Sequence, residues 1–168
     1  LSTGFVGETL WSSDIAGFKG DKPSIELYIR WSQFGLLCSL ARYHGTTVRE
    51  PWFYGEEAVA IVKKYSDLRY QWAPYLMELS VEATQTGLPV MRHLAIEYPE
   101  DRIARQIDDQ FLLGDSILVV PILEEGQTER SVYLPKGEWY NIHNGKWYTG
   151  NSVINLAIEL QDIPIFVK

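Results

Sequence analysis

Thr9-Leu10-Trp11-Ser12-Ser13-Asp14-Ile15-Ala16-Gly17-Phe18 is the stretch on which the fold turns. It opens as a short apolar run and ends in a carboxylate, Asp14. Gly17, Gly20 and Pro23 then mark a loop. A carboxylate at the end of a strand either caps a loop or lines a site, and local sequence alone leaves both readings open. Working outward, Ser24 is placed to cap a helix carrying Ile25, Tyr28, Ile29, Trp31 and Leu36. Leu36 to Tyr43 could continue that helix or form a buried strand ending at His44. Gly45 to Gly55 reads as a loop. From Glu56 the spacing of Val59, Val62, Tyr65, Leu68, Trp72, Leu76 and Leu79 predicts a long amphipathic helix. Pro74 should kink it, and Gly87 with Pro89 should end it.

The pattern changes near Pro99. Ile117 to Leu123, Ser131 to Leu134, Trp139 to Ile142, Lys146 to Tyr148, Val153 to Ile158 and Ile163 to Val167 are candidate strands. Pro135-Lys136-Gly137 and His143-Asn144-Gly145 are candidate hairpin turns. Strands so short and closely spaced suggest an antiparallel sandwich.

The composition narrows the function. The chain of 168 residues is 46% hydrophobic, enough to bury a core rather than remain disordered. Its net charge of −7 and pI near 5.0 argue against nucleic acid or an anionic membrane surface as partner. No apolar run reaches the length of a membrane span. The single cysteine, Cys38, excludes a disulfide framework and a cysteine-rich zinc site. There is no G-x-G-x-x-G and no Walker loop. His44, His93 and His143 stand far apart without ligand-like partners, so no metal site is expected. Six Trp and ten Tyr could stack on sugars, but Trp11, Trp31 and Trp72 are more simply core residues.

Trp11-Ser12-Ser13-Asp14-Ile15-Ala16-Gly17-Phe18 is followed by Arg30-Trp31-Ser32-Gln33-Phe34-Gly35 and then Arg42-Tyr43-His44-Gly45. This ordered set resembles glycoside hydrolase family 31, the retaining α-glucosidases and α-xylosidases. Gly35-Leu36-Leu37-Cys38-Ser39 and Arg49-Glu50-Pro51-Trp52-Phe53-Tyr54 look most like its bacterial and archaeal α-xylosidase branch. Gly87-Leu88-Pro89-Val90-Met91-Arg92, Phe111-Leu112-Leu113-Gly114-Asp115 and Tyr133-Leu134-Pro135-Lys136-Gly137-Glu138-Trp139 continue the match.

The resemblance implies an α/β part followed by an all-β part. Residues 1–88 would be the last two βα units of a TIM (β/α)8 barrel, and 89–168 the proximal antiparallel β-sandwich domain. Thr9 to Asp14 would be strand seven and Leu40 to His44 strand eight, placing Asp14 and His44 at the C-terminal face that carries TIM-barrel active sites. Asp14 and His44 would then line the subsite of the cleaved sugar, with Phe18 as an aromatic wall. Arg30 would pair with carboxylates near the site, and Trp11 would border the pocket or stay in the core. Ala16 departs from the family, which has Gly there.

A retaining glycosidase needs two carboxyl groups roughly 5–5.5 Å apart. In the family both are aspartates on earlier strands, expected upstream of residue 1, and Asp14 matches neither. The expectation is therefore a C-terminal portion of an α-xylosidase acting on α-linked oligosaccharides, with no cofactor, and inactive by itself. An α-glucosidase of the same family is the alternative. A non-catalytic carbohydrate-binding or structural product of a split gene is a third. Open barrel edges favour a homo-oligomer or a complementing N-terminal polypeptide. Cys38 and the xylosidase-like motifs point to the cytoplasm.

Overall fold

In a computed structural model describing residues 1–168, two stretches that the sequence marks as strands lie side by side without forming a regular ladder. Ser39 Oγ accepts from Trp11 N–H (2.9 Å) and donates to Trp11 O (2.7 Å), so a side chain takes main-chain groups that a strand would offer its neighbour. One parallel bridge joins Asp14 to Arg42, with Ile15 N–H donating to Arg42 O at 3.0 Å. Strands at Thr9–Asp14 and Leu40–His44 were expected. The segments have the predicted neighbourhood, but Thr9 O accepts from Val90 N–H (3.0 Å) rather than from the facing segment, and the ladder between the two reduces to that bridge.

The helices follow their signals. A short turn, α1, spans Ser2–Phe5, and α2 spans Ile25–Leu36. Ser24 caps α2 by accepting from Leu27 N–H at 3.2 Å. At the other end Arg69 donates to Leu36 O, Cys38 O and Ser39 O, satisfying carbonyls the helix terminus leaves free. The long helix from Glu56 is two: α3 (Glu56–Gln71) and α4 (Ala73–Thr86), divided at Trp72. Pro74 falls in the first turn of α4, where its missing N–H costs nothing, so the chain breaks just before it rather than kinking at it. Gly87, at φ 76°, ends α4 in the left-handed conformation.

Beyond α4 come β1 (Met91–Arg92), the turn α5 (Leu94–Glu97), β2 (Phe111–Leu113), β3 (Ile117–Val119), β4 (Glu129–Leu134), β5 (Glu138–Asn141), β6 (Lys146–Thr149), β7 (Ser152–Ala157) and β8 (Ile165–Val167). Six strands form one sheet in the order β1-β2-β3-β8-β5-β6, and β4 pairs with β7 in the other. Every named pairing is antiparallel. The two-residue side-chain period of a strand sorts the large sheet's residues to two faces. Phe111, Leu113, Ile117, Val119 and Ile165 join the core with Tyr28, Ile29 and Tyr65 of the helices. Leu112, Leu118 and Phe166 face the other way, against Val132, Leu134 and Trp139. The central strands β2, β3 and β8 are thus buried on both faces, while β6 at the edge is largely exposed, and one continuous core runs from the helices into the sheet.

His143-Asn144-Gly145 closes the β5–β6 hairpin as read. Pro135-Lys136-Gly137 does not make a hairpin. It carries the chain from the small sheet to the large one, because β4 bonds to β7 and β5 to β6 and β8. Gly150 packs on this crossover so closely that a Cβ there would lie 1.9 Å from Pro135 O.

Candidate functional site

Two loops leave the Asp14–Arg42 bridge, and main-chain bonds stitch them together. Thr46 N–H donates to Phe18 O at 2.8 Å, and Thr46 Oγ1 donates to the same oxygen at 3.3 Å. Gly45 fits beneath this seam: a Cβ there would lie 2.9 Å from both Gly17 O and Phe18 O. The turn itself needs left-handed backbone at Ala16 (φ 67°) and Gly17 (φ 80°). Arg49, 5% exposed, reaches across from the second loop. Its Nε (2.9 Å) and Nη2 (2.5 Å) donate to Gly17 O, and its Nη1 to Val48 O (2.9 Å) and Thr47 Oγ1.

This stitching brings together three of the residues singled out in the sequence. The Phe18 and His44 rings lie with centroids 5.1 Å apart, tilted by 36°, and both residues are exposed. Asp14 stands at the bridge from which both loops spring. Its Oδ1 is 2.6 Å from Arg42 Nε, an ion pair without hydrogen-bond geometry, so this buried oxygen has no hydrogen-bond donor. The Arg42 side chain is 61% exposed, so the pair contributes below about 1 kcal/mol and serves to orient the carboxylate. An open cleft lined by Tyr43 to Glu50 runs from His44 along the second loop. The arrangement offers a partly exposed carboxylate, an imidazole and an aromatic face. Those are the groups that bind a hydroxyl-rich ring.

The other two expected residues lie elsewhere. Trp11 packs against Phe34 (6.5 Å between centroids) and lines a groove with Phe111 and Pro121. Arg30 is buried at the junction of helices and sheets. It donates to Leu160 O (3.3 Å) and Asp162 O (2.7 Å), main-chain carbonyls rather than the carboxylates its fork suggested. Burial lowers its pKa. Cys38 is buried, which pushes its thiol up to about 12 and leaves it inert. A larger cleft lies where α3 meets α4, lined by Leu36, Arg69, Tyr70 and Leu76, but no carboxylate or imidazole reaches it. No three His, Cys, Asp or Glu side chains converge to hold an ion, and no helix is long and apolar enough to cross a membrane. Arg49 is the residue of this region to which sequence reasoning gave no role. Its partner is a main-chain carbonyl 32 positions away, which no spacing rule encodes.

Residues 1–79 match the model of the glycosyl hydrolases family 31 TIM-barrel domain, and residues 87–168 that of the family 31 C-terminal domain. The chain is 38% identical over 171 residues to Alpha-glucosidase 2 of Bacillus thermoamyloliquefaciens, covering 100% of this chain and 22% of that protein. It superposes with a TM-score of 0.95 on a GH31 alpha-xylosidase from a soil metagenome complexed with xylose, at 36% identity, covering 100% of this chain and 29% of the other. A GH31 dextranase of Flavobacterium johnsoniae complexed with glucose gives a TM-score of 0.95 at 41% identity, covering 100% and 22%. The chain spans less than a third of each of these proteins.

Proposed function

Because the chain belongs to glycosyl hydrolase family 31, we propose that it forms one wall of the sugar subsite of a retaining α-glycosidase, whose catalytic carboxylate pair stands on barrel strands outside these 168 residues. The observation that carries this reading is the place of the partly exposed Asp14 at the bridge from which the loops bearing the Phe18–His44 ring pair spring. Asp14 accepts from a ring hydroxyl, His44 bonds a second, and Phe18 packs against the apolar face of the sugar. Such bonds to hydroxyls strengthen as oxocarbenium character develops, so they lower the barrier as well as hold the substrate. In this reading Asp14 neither attacks nor transfers a proton.

The sugar is xylose in the first reading, supported by the xylosidase-like segments at 35–39 and 49–54 and by the fit to the xylose-bound relative. Glucose is the second, supported to the same degree by the α-glucosidase and dextranase relatives. The two sugars differ by one hydroxymethyl group, and none of Asp14, Phe18 and His44 discriminates against it by its chemistry. Steady-state hydrolysis of p-nitrophenyl α-D-xylopyranoside and α-D-glucopyranoside by the full-length protein separates the readings, with the product anomer followed by proton NMR. Turnover of the xyloside in preference, with the α-anomer appearing first, is expected. Preference for the glucoside selects the second reading. A β-anomer first, or turnover of neither, contradicts the proposal.

A further inference from the structure

We infer that Arg49 is a positioning residue of the sugar site: its guanidinium latches the Ala16–Phe18 turn onto the His44 loop and thereby sets the Phe18 ring against His44. The inference rests on the sugar-site reading of Asp14, Phe18 and His44.

Four observations converge on it. Arg49 is buried and makes no ion pair with any carboxylate; its only acceptors are Gly17 O, Val48 O and Thr47 Oγ1. A buried cation held by neutral acceptors alone is costly, so the turn it holds has to be fixed by it in return. Two of its nitrogens converge on one carbonyl, Gly17 O, which only a planar fork can do and a lysine cannot. The residue before that carbonyl's own, Ala16, stands at φ 67°, a conformation an L-residue holds only when its surroundings impose it. Phe18 follows directly, half exposed, with the His44 ring at 5.1 Å as its aromatic neighbour. Without the latch, the turn can relax Ala16 and carry Phe18 away from the site.

The test uses the full-length protein and four variants. Arg49→Ala removes the latch, and Arg49→Lys keeps the charge without the fork. Gly45→Ala keeps the Arg49 side chain but drives a Cβ into the seam it closes, 2.9 Å from Gly17 O and Phe18 O and 3.0 Å from Arg49 Nε. Arg92→Lys is the control, since Arg92 is an equally buried fork that pairs with Glu82 and Glu97. Phe18, the side chain that the latch places, packs on the sugar equally before and during reaction, while Asp14 and His44 keep their own positions. The expected signature is therefore a KM for the aryl α-glycoside raised about tenfold in Arg49→Ala, Arg49→Lys and Gly45→Ala, with kcat changed less than about threefold. Millimolar guanidinium should restore KM in Arg49→Ala alone, and Arg92→Lys should keep the wild-type KM. A KM for Arg49→Ala within about twofold of wild type overturns the inference, as does an equal rise in Arg92→Lys. If the Arg49 variants do not fold, Gly45→Ala decides, with an unchanged KM overturning it. If the wild type turns over neither aryl glycoside, the sugar-site reading falls separately. Hydrogen exchange then decides the latch: faster exchange confined to residues 16–20 upholds it, and unchanged exchange there overturns it.

Discussion

Ala16 is the residue whose conformation the sequence exposes most directly. The motif around it resembles one with glycine at this place, and the backbone here takes φ 67°. Left-handed backbone costs an L-residue about 1–2 kcal/mol, partly offset by the smaller entropy that alanine loses on folding. Ala16→Gly should therefore raise stability by about 0.5–1 kcal/mol, measured by denaturant unfolding. A loss of stability would mean that the buried Ala16 methyl contributes more packing than its conformation costs. Arg49 shows the opposite case. Its motif, Arg49-Glu50-Pro51-Trp52, is conspicuous in the sequence, yet its role depends on where the main chain of Gly17 comes to rest. Arg30 is similar: a guanidinium advertises what it can bind, and the fold decided that carbonyls 130 and 132 positions away reach it first.

At the scale of elements, what was legible is what local chemistry decides. Ser24 at a helix start, Gly87 at a helix end and the Asn144-Gly145 turn act within a few residues, so spacing reveals them. The division of α3 from α4 at Trp72 was half legible. Pro74 announced a kink, and the steric conflict with the preceding turn made it a full break placed ahead of the proline. The crossover at Pro135–Gly137 was not legible, because a tight turn between two strands looks the same whether its strands pair or part. Only the distant β7 and β8 settle which sheet each joins.

The β5–β6 hairpin also carries a titratable group into the structure. His143 contacts Ile163 O through Nε2 at 2.7 Å, and burial lowers its pKa below the ordinary 6.5. The unfolded chain then binds more protons than the folded one as pH drops below about 6.5, so stability is full above that pH and declines below it. His93, lowered by burial as well, adds to the same slope. His143→Gln, which keeps a donor for Ile163 O, should flatten the fall in Tm between about pH 7 and pH 5. An unchanged slope would remove His143 from the account.

Across the whole molecule, the helices and sheets behave as one body because polar bonds and a shared core join them. Arg30 and Gln33 of α2 and Tyr65 of α3 all bond the loop at 160–163. Arg30→Met keeps the bulk but leaves Asp162 O without the guanidinium, at a cost of about 2–3 kcal/mol. Calorimetry should show a lower Tm and a broadened or divided transition. A shift below about 0.5 kcal/mol would mean that the apolar core alone couples the two parts. Both parts were readable in the sequence, from the change of pattern near Pro99 and from the ordered motifs. The joint between them was not, since its acceptors are main-chain carbonyls of a loop with no marked composition.

The central claim, that Asp14 with Phe18 and His44 holds the sugar undergoing cleavage, is tested most directly by kcat/KM of the Asp14→Ala full-length protein on the aryl α-glycoside it prefers. Loss of a carboxylate whose bonds to the sugar tighten in the transition state predicts a fall of about a thousandfold, or about 4 kcal/mol, at unchanged fold. A kcat/KM within about threefold of wild type would contradict it, and would reduce the Asp14–Arg42 pair to a structural contact between two loops.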